Sequence, residues 1–463
     1  MARCASPLGR LHSVHRWTEE TERLSQAVLA YTRDRMHLDP VPLDRPLAPR
    51  VLLELAGQTI TRDGLGGDEA LRIFRDVLAQ ATISIDHPRF LAFIPSAPTE
   101  VSMLFDLVVS ASSTYGGSWL EGAGAVFAEN QALRFLADVA GFPAGAGGCF
   151  VSGGTLGNLA ALVAAREVWL DRRGGERPAR LRVAASVEAH SSVPQMARVI
   201  DAGVLPVAVD AHGRVTGATL RAALAEHGTE GLFGVVATCG TTNLGIIDDL
   251  AGVADVCAEH ELWFHVDGAY GAAALVAPSA RAQFAGIERA DSFIVDPHKW
   301  LFAPFDCCAL VYRDPELARR AHTQHAGYLE VIETRDEWNP SDYAVHLSRR
   351  ARGLPFWFSL AVHGTKAYED AVETTLAVAR SATEEIRSRP ELELVHEPML
   401  SVVGFKRLGG EPRDYTTWSE HLLADGYAFV TPSTNKGETI TRFAIVNPRT
   451  SMDDIRGVLD TMR

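Results

Sequence analysis

The sequence predicts an α/β domain on a mostly parallel sheet, followed by a smaller α+β lobe and preceded by a helical arm. Two observations carry this reading. Between about residues 86 and 315, short apolar runs alternate with helical stretches: LRVAAS, VLPVAV, LFGVVAT, LWFHVD, SFIVD and CALVYR. Near-continuous apolar runs separated by helices are the pattern of strands covered on both faces. After Arg350 the pattern changes to two helical stretches (about 355–388 and 415–425), two strand-like runs (LSVVGFKRL and TRFAIVN) and a short final helix, SMDDIRGVLDTM.

At the other end, residues 15–38 and 68–80 read as amphipathic helices joined through the proline-rich DPVPLDRPLAPR, a segment with too little apolar surface to fold alone. The expected organisation is therefore an arm over 1–85, a large domain over 86–350 and a small domain over 351–463. No internal repeat and no low-complexity tract interrupts it.

Composition narrows the function. A chain of 463 residues with 47% hydrophobic and 22% charged residues has the balance of a globular protein. Its formal charge of −14 and the lack of a basic run argue against nucleic acid as a partner. No stretch approaches the roughly 20 apolar residues of a membrane span, and MARCASPLGRLHSVHRW carries no apolar block of a signal peptide. A cytoplasmic location is the default expectation. The six cysteines are scattered, have no metal-ligand spacing and include the adjacent Cys307 and Cys308, so reduced core thiols are expected and no metal.

Three segments carry the chemistry. In VDPHKWLF, Lys299 follows an apolar strand end and precedes Trp300, Leu301 and Phe302. A lysine in such company loses affinity for its proton, and the neutral amine attacks aldehydes. In HVDGAYGAA the strand delivers Asp267 at its carboxyl end, where open α/β sheets bind ligands. A buried carboxylate there calls for a cationic partner, such as a protonated pyridinium nitrogen. In VSGGTLGNLAALVAAR the chain passes through Gly153 and Gly154 into a helix begun by Thr155, whose N–H groups and dipole suit a phosphate. It has neither the P-loop lysine nor the dinucleotide fingerprint.

Two further segments fit a planar cofactor. His190, in EAHSSV, is suited to stack on a ring and donate a proton, and Thr241 and Thr242 follow the run LFGVVAT. Each segment alone has an ordinary structural reading: a snorkelling lysine, a capping carboxylate, a tight glycine turn, a core histidine or turn threonines. In one chain, in the order glycine turn, histidine, threonines, aspartate and lysine, each at the end of an apolar run, they make a site for pyridoxal 5′-phosphate (PLP).

Beyond these features the sequence resembles the group II PLP-dependent decarboxylases, which include the aromatic-L-amino-acid, glutamate, histidine and diaminobutyrate decarboxylases. The similarity covers roughly residues 85–450 and rests on HPRFLAFIPSAP (87–98), SGGTLGN, AHSSV, the GTT turn, HVDGAY, DPHKW, LSRRARGLPFWFSLAVHG (347–364) and RFAIVN (442–447). The resemblance implies a fold-type I enzyme with a seven-stranded, mostly parallel sheet, a small C-terminal domain and an N-terminal arm wrapped on the partner of a homodimer.

Residue by residue, the resemblance implies Lys299 as the Schiff-base lysine and His298 at the phosphate. Asp267 falls on the pyridine nitrogen, Ala269 under the ring and His190 over it. Gly153, Gly154 and Thr155 fall at the phosphate, Thr242 near the ring and Arg442 near the substrate. Two departures stand out. Asp296 replaces an asparagine common before Pro-His-Lys, read as a tolerated change. Tyr343, matched to a loop tyrosine that protonates substrate, lies a few positions closer to Arg349 than usual.

The expected reaction is decarboxylation of an L-amino acid to its amine and CO₂. Decarboxylative oxidation to an aldehyde, other lyase or aminotransferase-like outcomes, and an inactive scaffold are the alternatives. Phe90, Phe93 and Pro95, with Tyr115 and Trp119, favour an aromatic or apolar substrate side chain.

Overall fold

A computed structural model describes residues 14–327 and 337–462. The chain forms two compact units: the described residues up to His87 with His421–Ala428, and those of Pro88–Glu420 with Phe429–Arg463.

In the first unit, helix Glu19–Met36 starts at Thr18, whose hydroxyl caps the Thr21 N–H at 3.2 Å. Helix Pro49–Ala56 begins with the proline that the connector supplies and stops at Gly57, at φ 64°. Neither helix has a buried residue, and Leu29, Leu53, Leu55 and Ile60 stand exposed. Arg35 and Asp86 form a two-bond ion pair at 2.9 and 3.2 Å.

The second unit is organised by a seven-stranded sheet. Its strands are β1 (Gly147–Val151), β2 (Leu181–Ser186), β3 (Ala202–Val207), β4 (Leu232–Thr238), β5 (Trp263–Asp267), β6 (Ser292–Val295) and β7 (Cys308–Tyr312), in the order β1-β7-β6-β5-β4-β2-β3. β7 alone runs opposite to the other six strands, antiparallel to both β1 and β6. The six apolar runs of the sequence form β2 to β7, and the expected mostly parallel seven-stranded architecture is borne out. β1, GGCFV, is the strand that those runs omit.

Alternation along the strands divides the core. Phe293 and Val295 of β6, with Ala309 and Val311 of β7, belong to one apolar layer. Ile294, Cys308, Leu310 and Tyr312 belong to the other, as the two-residue period requires. Helix Gly154–Asp171 lies in the second layer. A Cβ at Gly157 would come 2.7 Å from Ile294 Cγ2, so glycine there lets the helix sit close on β6.

Helix Trp119–Val139 carries a fully buried ion pair. Glu129 accepts from both Arg349 Nη atoms at 2.7 and 2.8 Å and from the Gly353 N–H at 2.8 Å. Arg349 Nη1 also donates to the Gly116 carbonyl at 2.6 Å.

The helical run Leu354–Arg387, two helices that meet at the non-helical Gly364 (φ 75°), leads to a four-stranded antiparallel sheet: β8 (Leu392–Leu394), β9 (Val402–Arg407), β10 (Pro432–Asn435) and β11 (Glu438–Ala444), in the order β10-β11-β9-β8. β10 and β11 join through Lys436 and Gly437, both at positive φ, the geometry of a two-residue hairpin turn. The two strand-like runs of the sequence are β9 and β11. Cys149, Cys239, Cys257, Cys307 and Cys308 are all free and buried. Among the described residues no helix is long and apolar enough to cross a membrane.

Candidate active site

The carboxyl ends of β1, β4, β5 and β6 open on one cavity of about 310 Å³. It gathers Gly153, Gly154, Thr155, His190, Thr242, Asp267, Ala269, His298 and Lys299, all nine residues that the sequence assigns to the cofactor.

β1 ends at Val151, and the chain turns through Gly153 into the first turn of helix Gly154–Asp171, leaving its leading N–H groups at the cavity. A side chain at Gly154 would come 3.1 Å from Ala269 Cβ and 3.3 Å from Ile294 Cδ1, so the turn stays bare. At the end of β4, beside Asp267 in the ladder, the Thr238 hydroxyl is buried with no hydrogen-bond partner among the described residues.

Asp267 ends β5 and is 5% exposed. Its Oδ1 accepts from the Ala269 N–H at 3.1 Å and its Oδ2 from Asn158 Nδ2 at 2.9 Å. Asn158, one turn into the helix, also donates to Ser192 Oγ at 3.1 Å, and its Oδ1 lies 2.9 Å from His265 Nε2. His265 Nδ1 lies 2.8 Å from Ser292 Oγ, which accepts from Trp263 Nε1 at 2.9 Å. One donor order satisfies every atom: Trp263 to Ser292, Ser292 to His265, His265 to Asn158, Asn158 to Asp267. It requires neutral His265, and burial pushes that imidazole down to about 4 against the opposing charge of Asp267.

β6 ends at Val295, and a single helical turn, Pro297–Trp300, presents Lys299. Its Nζ lies 2.8 Å from Asp296 Oδ2, and His298 Nε2 lies 3.6 Å from the same oxygen. Burial pulls the lysine down most strongly, but the charge and hydrogen bond of Asp296 together with the Asp267 charge offset it, and the amine ends above its ordinary value. The carboxyl of Asp296 ends below its own, because Lys299 and His298 outweigh its burial. His298 is lowered by burial, and its Nδ1 faces the carbonyl and N–H of Cys307 at 2.7 and 3.0 Å. His190 Nδ1 is 2.9 Å from Ser192 Oγ and accepts from the Ser192 N–H at 3.2 Å, so His190 meets the Asn158 network through Ser192.

The remaining sequence candidates do not line this cavity. Tyr343, the expected loop proton donor, is 5% exposed, stacks on Trp338 at 4.3 Å and sits in the core layer with Cys149 and Tyr312. Phe90 and Phe93 group with Phe429, at ring distances of 5.1 and 6.0 Å. Arg442, on β11, is buried and donates to the Phe93 carbonyl at 2.8 Å, with its pKa pushed down to about 10 by burial. Trp119 starts the helix that holds Glu129, and its N–H donates to Asn339 Oδ1 at 2.9 Å.

Six polar cavity residues fell outside the sequence assignment: Ser152, Asn158, Ser192, Thr238, Tyr270 and Asp296. Asn158 carried a signal, four residues after Gly154 and so on the same helix face. His265 carried one too, two residues before Asp267 and so on the same strand face. Tyr270 packs flat on Trp300 at 5.2 Å, its hydroxyl 2.6 Å from Ser401 Oγ.

This donor set fits a phosphorylated pyridine aldehyde. Bare N–H groups and the Thr155 hydroxyl suit the phosphate, an anchored carboxylate suits a ring cation, and Lys299 supplies the amine. Comparison with known proteins agrees. Residues 54–408 match the pyridoxal-dependent decarboxylase conserved domain. The chain is 30% identical over 457 residues to an aromatic-L-amino-acid decarboxylase of Bacillus atrophaeus, covering 95% of this chain and 94% of that protein. It is 27% identical over 474 residues to an acidic amino acid decarboxylase of Xenopus tropicalis, covering 97% and 92%. Its fold superposes on a rice (Oryza sativa) TDC crystallised with PLP and tryptamine at TM-score 0.89, with 24% identity and 99% of each chain covered.

The chain belongs to the pyridoxal-dependent decarboxylase family. It is a PLP-dependent amino acid carboxy-lyase.

Proposed function

We propose that the enzyme removes CO₂ from an L-amino acid with an aromatic or apolar side chain and returns a proton to the α-carbon, releasing the amine. The observation that carries this reading is the meeting of Lys299, Asp267, His190 and the Gly153–Thr155 turn in one cavity. PLP, when bound, supplies the electron sink. Lys299 would hold the cofactor through its amine. Asp267, anchored by Asn158 and the Ala269 N–H, keeps the ring nitrogen protonated. Gly153, Gly154 and Thr155 hold the phosphate, with His298 beside them. Ala269 and Thr242 bound the ring.

His190 is assigned the proton return. Tyr343 is packed in the core, and Tyr270, the one tyrosine among the described residues that lines the cavity, engages Ser401. The substrate class follows the sequence expectation for Phe90, Phe93 and Trp119, which lie outside the cavity lining, with Arg442 as a buried cation bonded to the Phe93 carbonyl. Relatives of this chain are named for both aromatic and acidic substrates. We further assign a homodimer that covers the exposed apolar residues of the two N-terminal helices.

The test is CO₂ release from a panel of L-amino acids, with products identified under air. Amine and CO₂ in equal amounts from an aromatic or apolar substrate is the expected result. Aldehyde with ammonia and hydrogen peroxide, or keto acid without CO₂, overturns the reaction, and a clear preference for an acidic amino acid overturns the substrate class.

A further inference from the structure

We infer that Asp296 is a catalytic carboxylate that keeps the Lys299 nitrogen protonated, both as the free amine and after its linkage to the cofactor. The inference rests on the reading above that Lys299 carries PLP.

Asp296 follows the last residue of β6 and is 1% exposed, with one oxygen 2.8 Å from Lys299 Nζ. The ordinary reason for an aspartate before a helical turn is to cap it, and the Asp296 side chain makes no capping bond. A buried carboxylate needs a cation. The groups facing it leave one choice. His298 Nε2 stands farther off, at 3.6 Å, and burial favours its neutral form. Cys308, from β7, is a thiol that burial holds protonated. Asp267, at the end of β5, and Asp306, beside His298, carry the same sign as Asp296. His190 and Tyr270, across the cavity, contact Ser192 and Ser401.

Condensation of the Lys299 ammonium with an aldehyde leaves one proton on nitrogen. Two of the three N–H hydrogens depart with the carbonyl oxygen as one water, a C=N bond replaces C=O, and no oxidant or reductant takes part. If the last proton also left, Asp296 would remain buried without its cation. The carboxylate therefore favours the protonated linkage, and the positive nitrogen makes the adjoining carbon a better target for the substrate amine. An asparagine in the same place fills the same volume without the charge.

The experiment compares the wild-type holoenzyme with Asp296→Asn and Asp296→Ser, following the visible absorbance of bound PLP against pH. An opposite charge within hydrogen-bond distance displaces a pKa by about 1–3 units. The pH at which the long-wavelength band is lost is expected to fall by at least about one unit in both variants. In cofactor-free protein, the pH dependence of reductive methylation at Lys299, read by peptide mapping, is expected to move the same way. Unchanged midpoints in both measurements overturn the role of Asp296. Borohydride reduction and mapping of the same samples isolates the underlying reading: a label on Lys299 keeps it, and a label on another lysine overturns it whatever the midpoints do.

Discussion

Removal of the Asn158 side chain tests whether the polar chain behind Asp267 matters to turnover. Asn158 is 1% exposed and uses every polar atom: both amide hydrogens, on Asp267 and Ser192, and its oxygen, toward His265. Asn158→Ala leaves Asp267 with the Ala269 N–H as its remaining hydrogen-bond donor and strands the His265 N–H. A hydrogen bond to a charged group contributes about 1.5–3 kcal/mol. If that bond strengthens as charge develops on the cofactor, turnover falls roughly 10- to 150-fold. The stranded N–H separately costs about 1–3 kcal/mol of stability. The assay is CO₂ release at saturating cofactor, with saturation read from absorbance and folding from urea unfolding. A variant that is folded and PLP-saturated, with turnover within about threefold of wild type, refutes the argument, since about 0.7 kcal/mol is less than one such bond.

Other perturbations follow from the same structure. Asp267→Ala is expected to lose several orders of magnitude in turnover while still forming a borohydride-sensitive link to PLP, and a loss below about tenfold, roughly 1.4 kcal/mol, contradicts its role at the ring nitrogen. Glu129→Ala leaves a buried guanidinium without its counter-ion and is expected to destabilise the fold by about 3–5 kcal/mol in urea unfolding, and an unchanged midpoint refutes this. Acid sensitivity has a defined sign at His322, which burial pushes down to about 4. The unfolded imidazole binds a proton below about 6.5 while the folded one does not, so stability present above that pH is lost on acidification from about 6.5 toward 4. His322→Gln, which keeps a donor for the Ala160 carbonyl, is expected to reduce by one the protons taken up on unfolding at pH 5, and equal uptake in both proteins excludes the assignment.

The large sheet was legible because its central strands are apolar on both faces. LFGVVAT and LWFHVD read as buried strands whatever their neighbours. β1 was harder, since GGCFV opens with two glycines, and at Gly148 a Cβ would meet the Leu310 carbonyl at 2.0 Å. β8 is three residues long, and β10 reads PSTN, polar and led by proline, so both take their strand character from pairing with β9 and β11.

At the cavity, the residues the sequence singled out lie at strand ends, where position is tied to local pattern. The omitted residues act through tertiary neighbours. The spacing from Gly154 puts Asn158 on the cavity face of its helix but does not show its bond to Asp267 on β5, whereas Asp296 meets Lys299, three residues on, at 2.8 Å within one helical turn. Tyr343 lies off the cavity for a different reason: its spacing from Arg349 matches loosely, and its ring stacks on Trp338, five residues earlier, in the core.

The sealed cysteines give the fold a clock. Cys149 lies in β1, Cys239 follows β4, and Cys307 and Cys308 lead into and begin β7. Burial raises each of these thiols above its ordinary pKa. At these four positions a thiol reagent thus meets neither an exposed sulfur nor a thiolate, and labelling must wait for the sheet to part. The interval before each sulfur reacts measures how often that strand opens. PLP in the cavity beside Cys307 and Cys308 would lengthen the interval at those two positions more than at Cys257, which lies in the helix Leu250–Glu259.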